Sequence, residues 1–159
     1  MKAAQEAMRR ARAASRLYAV QALFQLEASG EPVEKVQQEF ETYRLGATYD
    51  EGEFAEGDID HFRKVTFEAV SNQARIDQMA DRALVAKWPI ARIDPTLRAV
   101  FRAAGAELVA SDTPAKVVIT EYVAIADAFF PGGRESGFVN AVIDHMAREA
   151  RPGAMAAPR

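Results

Sequence analysis

The chain has 159 residues, 49% of them hydrophobic and 27% charged, which fits one soluble globular domain with a sizeable core. Its formal net charge is −3 and cysteine is absent, which excludes disulfides, thiolate zinc sites and a cysteine nucleophile and suits a reducing cytosol. No apolar run approaches the roughly 20 residues of a membrane span. The opening "MKAAQEAMRRARAASR" lacks the apolar stretch of a secretory signal, so a cytoplasmic protein is expected.

Charge is unevenly spread. Lys2, Arg9, Arg10, Arg12 and Arg16 crowd the start against Glu6 alone, whereas residues 27–60 are dominated by Asp and Glu. A basic end and an acidic middle suggest different neighbours for the two regions, or two solvated helix faces.

In "RAASRLYAVQALFQLEASG", Ala13, Leu17, Val20 and Phe24 recur on one helical face, and Gly30 suits a left-handed cap. "EPVEKVQQEFETYRL" predicts a shorter helix with Val33, Val36 and Phe40 inward. Residues 46–58, rich in glycine and acids, read as a long mobile loop. From Asp58, a plausible N-cap, Phe62, Val65, Ala69, Ile76, Met79, Ala80 and Ala83 keep helical spacing, predicting one long helix that breaks before Pro89.

Asp94 followed by Pro95 is a strong helix start, with Leu97, Val100, Phe101, Ala104 and Leu108 as the buried face. A polar residue before Pro114 repeats the device, and Val117, Val118, Ile125 and Phe129 follow. A last helix is expected from about Ser136 to Ala150. The expected fold is therefore all-α, with about seven helices in one domain over residues 1–151 and a disordered tail over 152–159.

"PGGRESG" is not a phosphate cradle. It lacks the Lys-Ser or Lys-Thr of a Walker loop and follows a helix where a dinucleotide fingerprint follows a strand. Gly132 and Gly133 instead let the chain reverse between two helices. His61 and His145 lack ligand spacing, so no metal or other cofactor is expected. Asp77 and Asp81 read as solvent-exposed carboxylates, and nothing in the inventory suggests an enzyme.

Clustered arginines suit phosphate, and Arg9, Arg10 and Arg12 at a helix start run against the helix dipole, which hints at binding rather than mere solubility. Asn140, among the apolar residues of "FVNAVID", reads as a structural tie to neighbouring backbone. Phe138 is either core or a platform on which a base stacks.

"RRARAASRLYAVQALFQLE", "LRAVFRAAGAELVASDTPAKVVITEYVAIADAFF" and "GFVNAVIDHM", in that order, resemble the NusB family of transcription antitermination factors over roughly residues 8–148. The resemblance implies an all-α fold of two helical subdomains without catalysis. It implies binding of boxA RNA in ribosomal RNA leaders together with NusE, the ribosomal protein that doubles as a transcription factor. That assembly lets RNA polymerase read through terminators.

It also implies an RNA surface of Arg9, Arg10, Arg12, Arg16, Arg134 and Phe138. Lys116 joins them because free N–H groups and a cation at a helix start suit phosphate. For NusE, it implies the helix from Asp94 to Ala110, with Asp94, Leu97, Arg98 and Phe101. The chain departs from the family pattern where Leu97 and Arg98 stand near an acid-base pair, where Arg134 lies in a usually acidic loop, and where Ala141 follows Asn140 in place of glycine. Two other readings are a helical protein–protein adaptor and the RNA-binding domain of a ribosomal RNA methyltransferase.

Overall fold

The computed structural model describes residues 2–45, 57–84 and 92–153. Most of the expected acidic loop and of the expected tail lies outside them. The described residues form seven helices: α1 (Lys2–Ser29), α2 (Val33–Tyr43), α3 (Ile59–Ser71), α4 (Gln73–Ala83), α5 (Pro95–Ala110), α6 (Ala115–Phe129) and α7 (Glu135–Ala150).

The start and stop signals act as their chemistry requires. Asp58 accepts a hydrogen bond from His61 N at 3.0 Å and opens α3, and Asp94 accepts from Thr96 N at 2.7 Å ahead of Pro95. Gly30 takes φ 70° after α1, and Gly132 takes φ 72° between α6 and α7, where a side chain would be strained.

The long helix expected after Asp58 divides in two. At Asn72 (φ −109°, ψ 18°) the side-chain Nδ2 donates to Glu68 O at 3.0 Å and to the Glu68 carboxylate at 2.9 Å. A short amide satisfying local backbone competes with helix continuation.

α1, α2 and α3 pack on one another, α4 to α7 form the second group, and α5 joins the two by packing against α1, α3, α4, α6 and α7. α5 is buried almost all round, with Leu97, Arg98, Ala99, Val100, Phe101, Ala103, Ala104, Gly105, Ala106, Glu107 and Leu108 all inside. A helix apolar on most sides belongs at the centre of a bundle. At Gly105 a Cβ would overlap the Ile76 side chain, so α4 and α5 approach closely there.

Two ion pairs fix the α1–α5 direction. Arg16 meets Glu107 at one end, and Glu27 meets Arg98 at the other, so the helices run antiparallel. α1 is positive then negative in chain order, and so is α5. A parallel arrangement would set like charges against each other.

Some faces are rotated from the expected ones. α1 buries Tyr18, Ala19, Val20, Ala22 and Leu23, leaving Phe24 43% exposed. α6 buries Val118, Tyr122 and Ile125 and leaves Val117 and Phe129 partly in solvent.

Candidate nucleic-acid interface

α1 begins at Lys2, well before the arginines, and its residues 2–10 are exposed on every side. Arg9, Arg10 and Arg12 therefore lie about two turns or more inside the helix, beyond the first turn where the dipole acts. The expected conflict with the dipole does not arise. Arg9 makes only an exposed contact to Glu6 at 3.3 Å, and Arg12 lies 3.6 Å from Asp58. Both keep donors for a phosphate. The docked part of α1 begins where Ala11 O accepts from Asp58 N at 3.3 Å and Ser15 Oγ donates to Asp58 O at 2.8 Å.

Arg16 departs from the expected surface. It is 4% exposed, and its Nε and Nη2 donate to the two oxygens of Glu107 at 2.8 and 3.1 Å. Such a fork-to-carboxylate pair leaves nothing for RNA, so Arg16 belongs to the interior. Glu107, 1% exposed, also receives Tyr122 Oη at 2.5 Å, His61 Nε2 at 3.1 Å and Thr113 Oγ1 at 3.2 Å. Burial alone would raise the Glu107 pKa. The hydrogen bonds from His61, Arg16 and Tyr122 and the Arg16 charge overcome it and hold the carboxyl down at about 2. Tyr122 moves the opposite way, its phenol raised well above the usual value by burial and by the Glu107 charge.

The turn after Glu107 is held by Arg151, at the end of α7. Its guanidinium donates to Glu107 O at 2.8 Å, Ser111 O at 2.9 Å and Leu108 O at 3.0 Å, and also to Thr113 O. These carbonyls include ones that the end of α5 leaves without helical partners.

Lys116 is exposed at the start of α6, at the same end of the bundle as Arg12. Arg134 and Phe138 are exposed at the start of α7, at a different level. Phe138 is 38% exposed and rests edge-on against Phe101, with ring centroids 6.0 Å apart. It is thus partly core and partly surface. Through the Arg16–Glu107 and Phe101–Phe138 contacts, Arg12 lies toward the C-terminal end of α5 and Phe138 toward its N-terminal half. The expected RNA residues thus stand on three helices: the arginines on α1, Lys116 on α6, and Arg134 and Phe138 at the start of α7.

Asn140 is exposed on α7 and is not a buried tie. Ala147 and the apolar residues Val139, Val142, Ile143 and Met146 face inward, and the asparagine lies outside that arc.

The expected partner helix is corrected more strongly. Leu97 and Phe101 are buried in the core, and Arg98 is engaged by Glu27 at 2.5 Å and by Ile93 O at 3.0 Å. Of the four residues, only the helix cap Asp94 is exposed. α5, buried on almost every side, is the central post of the bundle. Asp77, expected to be solvated, instead accepts a two-pronged bond from Arg102 at 3.0 and 2.9 Å.

Among the described residues, no cluster of three or more His, Asp or Glu side chains could hold a metal. No helix among them is long and apolar enough to cross a membrane. The residues that sequence reasoning missed are Glu107, Tyr122, His61 and Arg151. The one available signal was a lone glutamate within the apolar run "AAGAELVA".

A model of the NusB family matches residues 13–148. The transcription antitermination protein NusB of Maricaulis maris is 45% identical over 144 residues, covering 90% of this chain and 89% of the relative. That of Caulobacter vibrioides is 45% identical over 141 residues, covering 88% of this chain and 94% of the relative. The structure of T. maritima NusB superposes with a TM-score of 0.67 at 29% identity, over 85% of this chain and 89% of that one. A structure of antitermination factors NusB and NusE in complex with double-stranded RNA holds a chain of the same fold, with a TM-score of 0.69 at 21% identity, over 86% of this chain and 96% of that one.

Proposed function

The chain belongs to the NusB family of antitermination factors, and we propose that it binds boxA RNA of ribosomal RNA leaders together with NusE in the cytoplasm. In that role it joins the RNA polymerase antitermination complex and helps the enzyme pass terminators. The observation that carries this reading is the α1 arm. Residues 2–10 stand clear of the bundle, and Arg9 and Arg10 are exposed among them.

Arg9, Arg10, Arg12 and Lys116 form one phosphate-binding group, with Phe138 and Arg134 as the second. One RNA segment engages both groups, with a base stacked on the free face of Phe138. Few phosphate contacts and a net negative charge make binding by the chain alone weak. A second protein attached to the same RNA raises the affinity. The complex described for the fold neighbour, with NusB, NusE and RNA together, supports such a shared arrangement.

The test is the triple substitution Arg9→Ala, Arg10→Ala, Arg12→Ala. It weakens RNA binding and lowers the slope of log affinity against log salt by about 0.7 for each single-strand phosphate no longer neutralised. An unchanged slope favours the adaptor reading, in which the arginines only solvate the helix. The methyltransferase reading is less well supported, because the antitermination relatives are matched over 89% and 94% of their own length.

A further inference from the structure

We infer that Glu107 is a positioning residue for RNA binding, aiming the exposed α1 arm from within the core. This inference rests on the RNA-binding reading above.

Three observations carry it. First, residues 2–10 are exposed on every side, so their direction is set by the docked remainder of α1, whose contacts nearest the arm are made by residues 11–16. Second, the innermost of those contacts is the Arg16–Glu107 fork, and its acceptor is shared. The same carboxylate holds His61 of α3, Tyr122 of α6 and Thr113 of the α5–α6 turn, and the Glu107 carbonyl accepts from Arg151 after α7. A single residue of α5 thus hydrogen-bonds to α1, α3, α6 and the end of α7. Third, the outer contacts of α1 converge on Asp58, which caps the helix that carries His61. The contacts of α1 nearest the arm thus lead to Glu107, directly or through the helix that Asp58 caps.

The arm works as a lever. Arg9 stands seven residues beyond Arg16, about 10 Å along the axis. A tilt on the order of 15° at Arg16 would move Arg9 by about 3 Å, which separates a direct phosphate hydrogen bond from none. An apolar residue at position 107 could fill the space but could not fix this angle. Shape alone leaves helices free to slide, whereas a fork and its carboxylate fit in one register.

The experiment uses the full chain and a fluorescein-labelled RNA carrying a boxA sequence. E107Q, R16K and Y122F are each checked for wild-type helix content by circular dichroism, then titrated over a range of salt. Y122F removes one hydroxyl and supplies a readout if E107Q does not fold. We expect the folded variants to bind roughly tenfold more weakly, with a salt slope smaller by about 0.7 for each phosphate that the arm no longer reaches.

The same substitutions are then placed in the background with Arg9, Arg10 and Arg12 changed to alanine. A positioning role predicts little further weakening there, because the arm has lost the arginines it aims and keeps only Lys2. A merely structural role predicts the same weakening in both backgrounds. Equal weakening in both, or wild-type affinity and slope in the folded variants, overturns the inference. If the wild-type chain shows no salt-dependent RNA binding at all, it is the RNA-binding reading that fails.

Discussion

Arg16 of α1 and Glu107 of α5, 91 residues apart in sequence, meet through two hydrogen bonds in the buried interior. A buried ion pair is held by geometry as much as by charge, and removing one partner strands the other. Glu107→Leu should destabilise the fold by about 3–5 kcal/mol in urea unfolding. Changing both, Arg16→Met with Glu107→Leu, should recover much of that stability. A double variant no more stable than the single one would mean that His61, Tyr122 and Thr113 depend on the carboxylate independently of Arg16.

The same carboxylate sets an acid limit. Its folded pKa of about 2 lies below the ordinary 4.5, so its contribution is complete above pH 4.5 and is lost as pH falls toward 2. The shift corresponds to about 3 kcal/mol. Melting temperature followed from pH 6 to pH 2 should fall steeply in the wild type and less steeply in E107Q. A shallower fall remains in the variant, because Arg82 also holds Glu149 below its usual value. Parallel curves for the two proteins would show that Glu107 does not govern the acid limb.

Arg151 should matter beyond its charge. Its fork spans carbonyls on both sides of the α5–α6 turn. Arg151→Ala should cost about 2–3 kcal/mol, as expected for charged hydrogen bonds to buried acceptors. Arg151→Lys should recover little, since an ammonium is a point donor and cannot reproduce the planar fork. Chemical denaturation of the two variants compares them directly, and full recovery by lysine would contradict the fork's role.

Phe138 separates packing from binding. Since 38% of it is exposed and one edge lies on Phe101, Phe138→Ala should cost about 1–2 kcal/mol of stability, less than a fully buried phenylalanine. Its RNA affinity should fall by about 1–3 kcal/mol if a base stacks there. Phe101→Ala should instead cost about 3–5 kcal/mol, as a core residue. Thermal melts and titrations on the same samples distinguish the two effects.

Much of the fold was legible in the sequence because its signals are local. Asp58, Asp94, Pro95 and Gly30 each act within one turn of where they stand. The break at Asn72 was not legible, because it depends on a side chain choosing local backbone over an apolar pattern that continues unbroken. Phe24 was assigned to the apolar face because spacing marks a face but not how wide an arc the neighbours cover. The exposure of the arginine cluster was legible at Arg9, Arg10 and Arg12. It was misread at Arg16, one turn further on, where burial depends on a glutamate 91 residues away. Periodicity placed Leu97 and Phe101 in the core correctly, and only the resemblance had offered them to a partner.

The central claim is tested most directly by fluorescence anisotropy of a labelled boxA RNA and a scrambled control, each titrated with this protein with and without NusE. The account predicts weak binding to boxA by the chain alone, a preference over the scrambled RNA, and tighter binding when NusE is present. Equal affinity for both RNAs, or no binding even with NusE, would contradict it.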